Sequence, residues 1–368
     1  MRIMSGEIKT VIGLMSGTSM DGIDVAVLET DGDEHNKLLF SKTYDYPDAL
    51  IAKLKPLMGK RDTDALVLKD IEEEITRAHA DACEAALKKF PRVSLIGFHG
   101  QTIWHAPDEG LTCQLGDGQL LADLTGRHVV NDFRSADMEA GGQGAPLLPF
   151  YHYKRSKTLP RPLVAVNIGG VSNVTYVASD IQESIGFDTG PGNALINDWM
   201  CLKTKTVMDK DAGYAKRGVV DRSWIMDQTK HPYFLKKPPK SLDRDAFDFK
   251  NKVDDWSIPD GAATLTYFTA VSIALSLRYL PKQPMMMVVS GGGRRNPKIM
   301  EGLKSLLPDM TVTKTETIGW NGDALEAEGF AYFAMCHVNK TPITYPNLTG
   351  CDEATVCGVS YMPSDQSS

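Results

Sequence analysis

Twice in this chain an apolar run stops at a turn of small residues and then resumes. In VIGLMSGTSMDGIDVAVLE, Val11 to Glu29, the residues Val11, Ile12 and Leu14 precede the turn, and Ile23, Val25, Val27 and Leu28 follow it. LVAVNIGGVSNVTYVAS, Leu163 to Ser179, repeats the plan. Period-two alternation around each turn predicts strand–turn–strand. A third strand is expected after each pair, at 37–45 and at SIGFD, 184–188. Apolar spacing at Ala65, Leu68, Ile71, Ile75 and Ala82 predicts a helix over 64–90, capped by Thr63 or Asp64. Further strands are expected at 92–98, 127–133 and 285–290, and a helix opening at GPGNALINDWM. An approximate duplication of this kind predicts an α/β fold of two lobes, each with a mixed sheet and covering helices. Such lobes leave a cleft, where small-molecule sites commonly lie. The junction is expected in GGQGAPLLP, 141–149. Lobe I would be 1–140, joined by the C-terminal segment 336–368, and lobe II 141–335.

Composition narrows the partners. The chain has 368 residues, about two domains by length, with a net charge of −7. No basic stripe supplies the electrostatics of a nucleic-acid or anionic-membrane surface. No apolar run reaches the roughly 18 residues of a membrane span. The opening MRIMSGEIKT has no apolar run of signal-peptide length. Six cysteines, at 83, 113, 201, 336, 351 and 357, show neither CxxC nor zinc spacing. Reduced thiols in a cytoplasmic protein are the expectation.

The turns carry the chemistry. Successive backbone N–H groups in a tight Gly-rich turn form an anion-binding concavity. In Ser16-Gly17-Thr18-Ser19-Met20-Asp21-Gly22 the hydroxyls add donors. Asp21 and Asp24 repel phosphate but suit Mg²⁺, which takes oxygen ligands and keeps waters. Hydroxyls for phosphate with carboxylates for magnesium point to a nucleoside triphosphate. The second turn, Asn167-Ile168-Gly169-Gly170-Val171-Ser172-Asn173, would grip the phosphates from the opposite lobe. Neither turn is a Walker A loop, and the kinase HRD…DFG pairing is absent. The Gly291-Gly292-Gly293 triplet lacks the dinucleotide spacing. It would let a flat base lie against the backbone, with Arg294 and Arg295 either stacking or, as the favoured reading, solvated. Asp188, at the end of its strand in GFDTGPGN, is either a proton acceptor or a helix N-cap. FHGQTIWHAP, with His99, Gln101, Thr102 and His105, and NDFRSADMEAGGQGAP, with Asp132, Arg134, Asp137 and Gln143, are dense in polar groups. Arg134 would pair a substrate carboxylate or form an interlobe salt bridge. Each His is either a binding group or a core-packed one. Glu326 reads as the solvated face of an amphipathic helix.

In order along the chain, LMSGTSMDGID, FHGQTIWHAP, DFRSADMEAGGQGAPLLP, NIGGVSN, GFDTGPGN, DAGYAKRG, PPKS, SGGGRRN and LEAEGFA resemble the blocks of the anhydro-N-acetylmuramic acid kinases. The resemblance runs from about residue 9 to the mid-330s, and more weakly to LTG at 348–350. It implies the fold of the acetate-kinase, sugar-kinase, heat-shock-protein and actin superfamily, with two lobes of ribonuclease-H-like topology. It implies a kinase using ATP and Mg²⁺ that opens 1,6-anhydro-N-acetylmuramic acid with water and phosphorylates O6, as a cytoplasmic homodimer in peptidoglycan recycling. By position, Gly17, Thr18, Ser19, Met20, Asp21, Gly22, Ile23 and Asp24 would be the first phosphate segment. Asn167, Gly169 and Gly170 would be the second. Gly291, Gly292, Gly293 and Asn296 would bind the nucleotide, and Asp188 would be the base. His99, Gln101, Thr102, Arg134 and Glu326 fall in blocks near the sugar. Two departures stand out: LDRDAF follows PPKS where a Thr-Gly-Arg-Glu-like run is expected, and the tail beyond Thr341 fits loosely. Rival readings are a levoglucosan kinase and an actin- or chaperone-like ATPase switch.

Overall fold

Each predicted strand–turn–strand becomes the centre of a sheet in a computed structural model that describes residues 6–17, 20, 22–244 and 246–364. Among these residues the strands are β1 (Lys9–Ser16), β2 (Ile23–Thr30), β3 (Asn36–Tyr44), β4 (Leu95–Ala106), β5 (Leu111–Leu115), β6 (His128–Asn131), β7 (Leu163–Ile168), β8 (Val171–Val177), β9 (Ile185–Pro191), β10 (Met286–Ser290), β11 (Thr311–Lys314) and β12 (Val359–Tyr361). The helices are α1 (Asp48–Leu54), α2 (Ala65–Lys89), α3 (Gly118–Thr125), α4 (Ser135–Glu139), α5 (Leu148–Arg155), α6 (Ala194–Thr204), α7 (Arg222–Gln228), α8 (Ile258–Ser276), α9 (Pro297–Leu306), α10 (Leu325–Val338) and α11 (Pro346–Thr349).

The chain divides into two compact units. The first runs to Arg155 and resumes at Ala324; the second is Ser156–Asp323. In the first, β1, β2 and β3 are antiparallel neighbours, and β4 and β6 add in parallel beyond β1, giving the core order β3-β2-β1-β4-β6. β12 extends the edge beside β6, and β5 pairs the far end of β4. The second unit repeats the order as β9-β8-β7-β10-β11, again three antiparallel strands followed by two parallel ones. This is the ribonuclease-H-like arrangement, present twice, so the duplication read from two hairpins extends to the whole sheet.

The unit boundary differs from the expected one. Residues 141–155 and 324–335, assigned from the sequence to the second lobe, lie in the first. The reason is packing. The α10 helix lies on β1, β2 and β4 and contacts α5, and the Tyr151 hydroxyl donates to the buried Glu328 carboxylate at 2.7 Å. The seating is close because Gly13 and Gly97 are register partners in β1 and β4. A Cβ on Gly13 would lie 1.8 Å from the Ala327 carbonyl oxygen, and one on Gly97 2.0 Å from that of Phe330. The α10 helix is therefore buried nearly all round, and the reading of an amphipathic helix with one solvated face fails. By contrast α2 behaves as its periodicity predicts. Asp64 Oδ1 accepts from the Leu66 N–H at 2.8 Å, and Ile71, Ile75, Ala82, Cys83 and Ala86 are buried on one face.

Candidate functional site

In the second unit, β7 and β10 run parallel, so their C-terminal ends open on the same side of the sheet. Ligand sites in open α/β sheets form at such ends. Two of the expected segments meet there. A Cβ on Gly291 would strike Asn167 Oδ1 at 2.3 Å, and one on Gly293 would strike the Ile168 side chain at 2.2 Å. These two glycines are thus taken up by the approach of the β10 tip to the β7 tip. Of the three, only Gly292 has room for a side chain: a Cβ there would make ordinary contact with Asn193 Nδ2 at 3.7 Å. The second turn is tied to the start of α6. Gly169 O accepts from the Asn193 N–H at 2.7 Å, and Gly170 O from the Gly192 N–H at 2.8 Å. Asn193 Nδ2 also donates to Ile168 O at 3.0 Å. A Cβ on Gly170 would meet nothing within 4 Å. Asn296 is spent differently: its Oδ1 caps α9, accepting from the Lys298 and Ile299 N–H groups.

The triplet's arginines separate. Arg295 is exposed and pairs with Asp323. Arg294 is not solvated, as expected from the sequence, but only 3% exposed. Its guanidinium bonds Glu316 at 2.7 Å, Asp323 at 2.9 Å and the Gly291 carbonyl at 2.9 Å. A buried cation held by two carboxylates fixes the triplet in place. Beside α9, a cavity of about 260 Å³ opens among Lys216, Arg222, Thr266, Tyr267, Lys298 and Glu301. The Thr266 hydroxyl there is buried with no hydrogen-bond partner among the described residues.

Asp188 lies within β9, opposite Asn173 of β8. The N-cap of α6 is Asn193, so the capping reading of Asp188 falls. The carboxylate instead accepts the Leu242 N–H at 2.8 Å. Burial pushes it up to about 6, against the Leu242 N–H and the Lys240 charge, which pull it down. A carboxyl poised near neutrality is what a general base requires. Lys240 escaped the sequence analysis as a site residue, although PPKS was among the blocks that carry the resemblance.

In the first unit, the Met20 N–H closes a turn onto Gly17 O at 3.1 Å. Thr18, Ser19 and Asp21, expected in the phosphate and magnesium segment, lie outside the described residues. Gly22 sits against Thr43 and Tyr44, and Ile23 is core. Asp24 Oδ1 accepts from the Thr43 hydroxyl at 2.5 Å. Gln101 is buried and holds the turn, donating to Gly17 O at 3.2 Å. Thr102 is half-buried and accepts from Gln114 at 3.4 Å.

His99, Arg134 and Glu326 come together. Arg134 donates to His99 Nε2 at 2.9 Å and to Gly144 O at 2.7 Å. Its Nε is buried and unpartnered among the described residues. Burial pulls Arg134 down to about 10, with Glu326 the foremost opposing charge. Burial and the neighbouring guanidinium hold His99 down at about 3, so this histidine stays neutral and accepts from the arginine. Glu326 is half-buried at the first turn of α10 rather than on a solvated face. Asp137, fully buried, accepts from the Gly144 N–H at 2.7 Å and the Thr349 hydroxyl at 2.6 Å, holding the loop that Arg134 bonds.

A family model described as anhydro-N-acetylmuramic acid kinase matches residues 9–363. A curated relative of that name from Rhodospirillum rubrum is 44% identical over 354 residues, covering 96% of this chain and 94% of its own. Another, from Brucella suis, is 42% identical over 375 residues, covering 97% and 100%. Among solved structures, a ROK family glucokinase from Streptomyces griseus in complex with glucose and AMPPNP is 12% identical, with a TM-score of 0.43 and coverage of 88% and 99%.

Proposed function

The chain belongs to the anhydro-N-acetylmuramic acid kinase family, and from that premise we propose that it cleaves 1,6-anhydro-N-acetylmuramic acid with water and phosphorylates O6 from ATP. The products are N-acetylmuramic acid 6-phosphate and ADP. The observation that carries the mechanism is the half-buried Asp188 carboxylate, pushed up to about 6 and free of any capping role. The anhydro sugar has no O6 hydroxyl to deprotonate. Asp188 therefore takes a proton from water as that water attacks C1. The C1–O6 bond breaks, and O6 attacks the γ-phosphorus.

The other residues position and neutralise. The turn that begins at Gly17 and the exposed Gly170 of the second turn would offer backbone N–H groups toward phosphate, while the Gly169 N–H is spent on Val171 O at 3.2 Å. The cavity beside α9, with the Tyr267 ring, three cationic side chains and the unpartnered Thr266 hydroxyl, takes the nucleoside end. Arg134 faces the carboxylate of the lactyl group, for which a guanidinium with a spare N–H is suited. Asp24 provides a hard oxygen ligand of the kind magnesium takes, with Asp21 as its expected companion. The ion would neutralise charge developing on the transferred phosphoryl group. The resemblance further implies a cytoplasmic homodimer serving peptidoglycan recycling. Among the described residues no helix is long and apolar enough to cross a membrane.

The test is the product mass after incubation with Mg·ATP and 1,6-anhydro-N-acetylmuramic acid, with levoglucosan in parallel. The muramic substrate should gain one phosphoryl group and one water. Gain on levoglucosan alone would replace this reading with its rival, and ATP hydrolysis with neither sugar changed would point to a switch. A second expectation concerns pH. Only the ionised base accepts the proton, so kcat should fall about tenfold per pH unit below about 6. A profile flat to pH 4.5 would detach Asp188 from the rate.

A further inference from the structure

β9 is an edge strand, paired with β8 on one side only. Its other edge is covered at Asp188 by the segment running from Tyr233 to Leu242. The Asp188 N–H donates to Lys240 O at 3.1 Å. The Tyr233 hydroxyl donates to Asp188 O at 2.5 Å. The Leu242 N–H donates to the carboxylate at 2.8 Å. One short segment thus holds the backbone amide, the backbone carbonyl and the reacting side chain of the same residue.

At the centre of that segment the Lys240 side chain turns inward. It is 7% exposed. Its ammonium donates to Tyr233 O at 3.2 Å. It lies 4.4 Å from the ring centre of Tyr233, 4.7 Å from that of Tyr279 and 5.7 Å from that of Phe187. Phe187 is the residue before Asp188. A buried ammonium is costly unless it is compensated, and aromatic faces with one carbonyl compensate it in part. This cation therefore ties Tyr233 to the strand that bears Asp188. Its own backbone carbonyl completes the tie.

We propose that Lys240 is a positioning residue for the reaction: its inward-turned side chain locks the Tyr233–Leu242 segment onto β9 and so fixes the carboxylate of Asp188. The inference rests on Asp188 being the base. The charged and titratable groups around the pair are Tyr233 and Lys240 facing Asp188, and Arg278 and Lys236 facing Lys240. Burial, joined by the two added cations, brings Lys240 down to about 8. Removing the ammonium leaves burial less opposed at Asp188. The acid limb of the rate profile should then move to higher pH.

The experiment compares Lys240→Met, Lys240→Arg and Asp188→Asn with the unaltered protein, using kcat from pH 5 to 9, ATP affinity and thermal unfolding. Lys240→Met keeps the apolar stem and removes the charge. Its acid limb should rise by up to about one unit, the lower end of the effect of a nearby opposite charge. Its kcat at pH 7 should fall at least about tenfold, with ATP affinity unchanged. Lys240→Arg should return the limb toward its original place. If Asp188→Asn is inactive while Lys240→Met keeps both limb and kcat, the inference on Lys240 is wrong and the base stands. If Asp188→Asn turns over normally, the base reading itself fails. A purely structural role for Lys240 would lower the unfolding temperature without moving the limb, and that result also overturns the proposal.

Discussion

Asp188→Asn should abolish turnover and leave ATP binding intact. Asparagine keeps the shape and an oxygen that accepts the Leu242 N–H, so the 2.8 Å contact survives. What it cannot do is take a proton from water. General-base catalysis contributes about 10² to 10⁴ in rate, and here no other step can begin without it, so the loss should reach at least the upper figure. Stability supplies a second, opposite readout. The folded value near 6 lies above the ordinary 3.8. Asp188 therefore disfavours the folded state increasingly from about pH 4 to 6, and fully above that. The variant should unfold at the same temperature as the original or a higher one at pH 8, as is common when a functional site's strain is relieved. Normal turnover would remove Asp188 from the mechanism. Inactivity with a marked loss of stability would assign the effect to folding instead.

The legible and illegible parts of this chain differ in range. Strand–turn–strand patterns are local, and the two turns disclosed the duplication that the sheets repeat strand for strand. The α2 helix was legible because one face is wet: its apolar spacing is periodic and Asp64 marks its start. The α10 helix was not. LEAEGFAYFAMC is apolar and small-residue-rich on every side, and its place depends on glycines more than 200 residues earlier in sequence. Arg294 looked like a loop arginine because its two carboxylate partners stand at 316 and 323. For Asp188 the sequence left base and cap equally open. The structure removes the cap reading by placing Asn193 at the start of α6, and it adds a clamp at 240–242; a local window around GFDTGPGN can weigh neither. The resemblance carried the family and the chemistry. It did not carry the buried state of Lys240, which depends on three rings drawn from separate segments.

Gly13→Val should cost about 3 kcal/mol or more in unfolding free energy, the upper range for overpacking. The atoms in the way decide the size. A Cβ at Gly13 meets the Ala327 carbonyl oxygen at 1.8 Å and the Ala331 amide nitrogen at 2.6 Å. Both are backbone of α10, so no rotamer change makes room. The helix must lift from β1 and β4, which strips contacts from Ala327, Ala331 and Ala334, all fully buried. Against a typical stability of about 5–15 kcal/mol, this is a large fraction, and denaturant titration would measure it. A midpoint shift worth less than about 0.5 kcal/mol would mean that α10 is not seated by the glycine pair. Gly170→Val is the instructive contrast. There a Cβ meets nothing within 4 Å, and the residue is exposed at the second turn. Stability should hardly change, while KM for ATP should rise, because under the proposed function the added side chain would fill the space offered to phosphate. The same substitution thus separates two reasons for a glycine in this fold, close approach of a helix and close approach of a ligand.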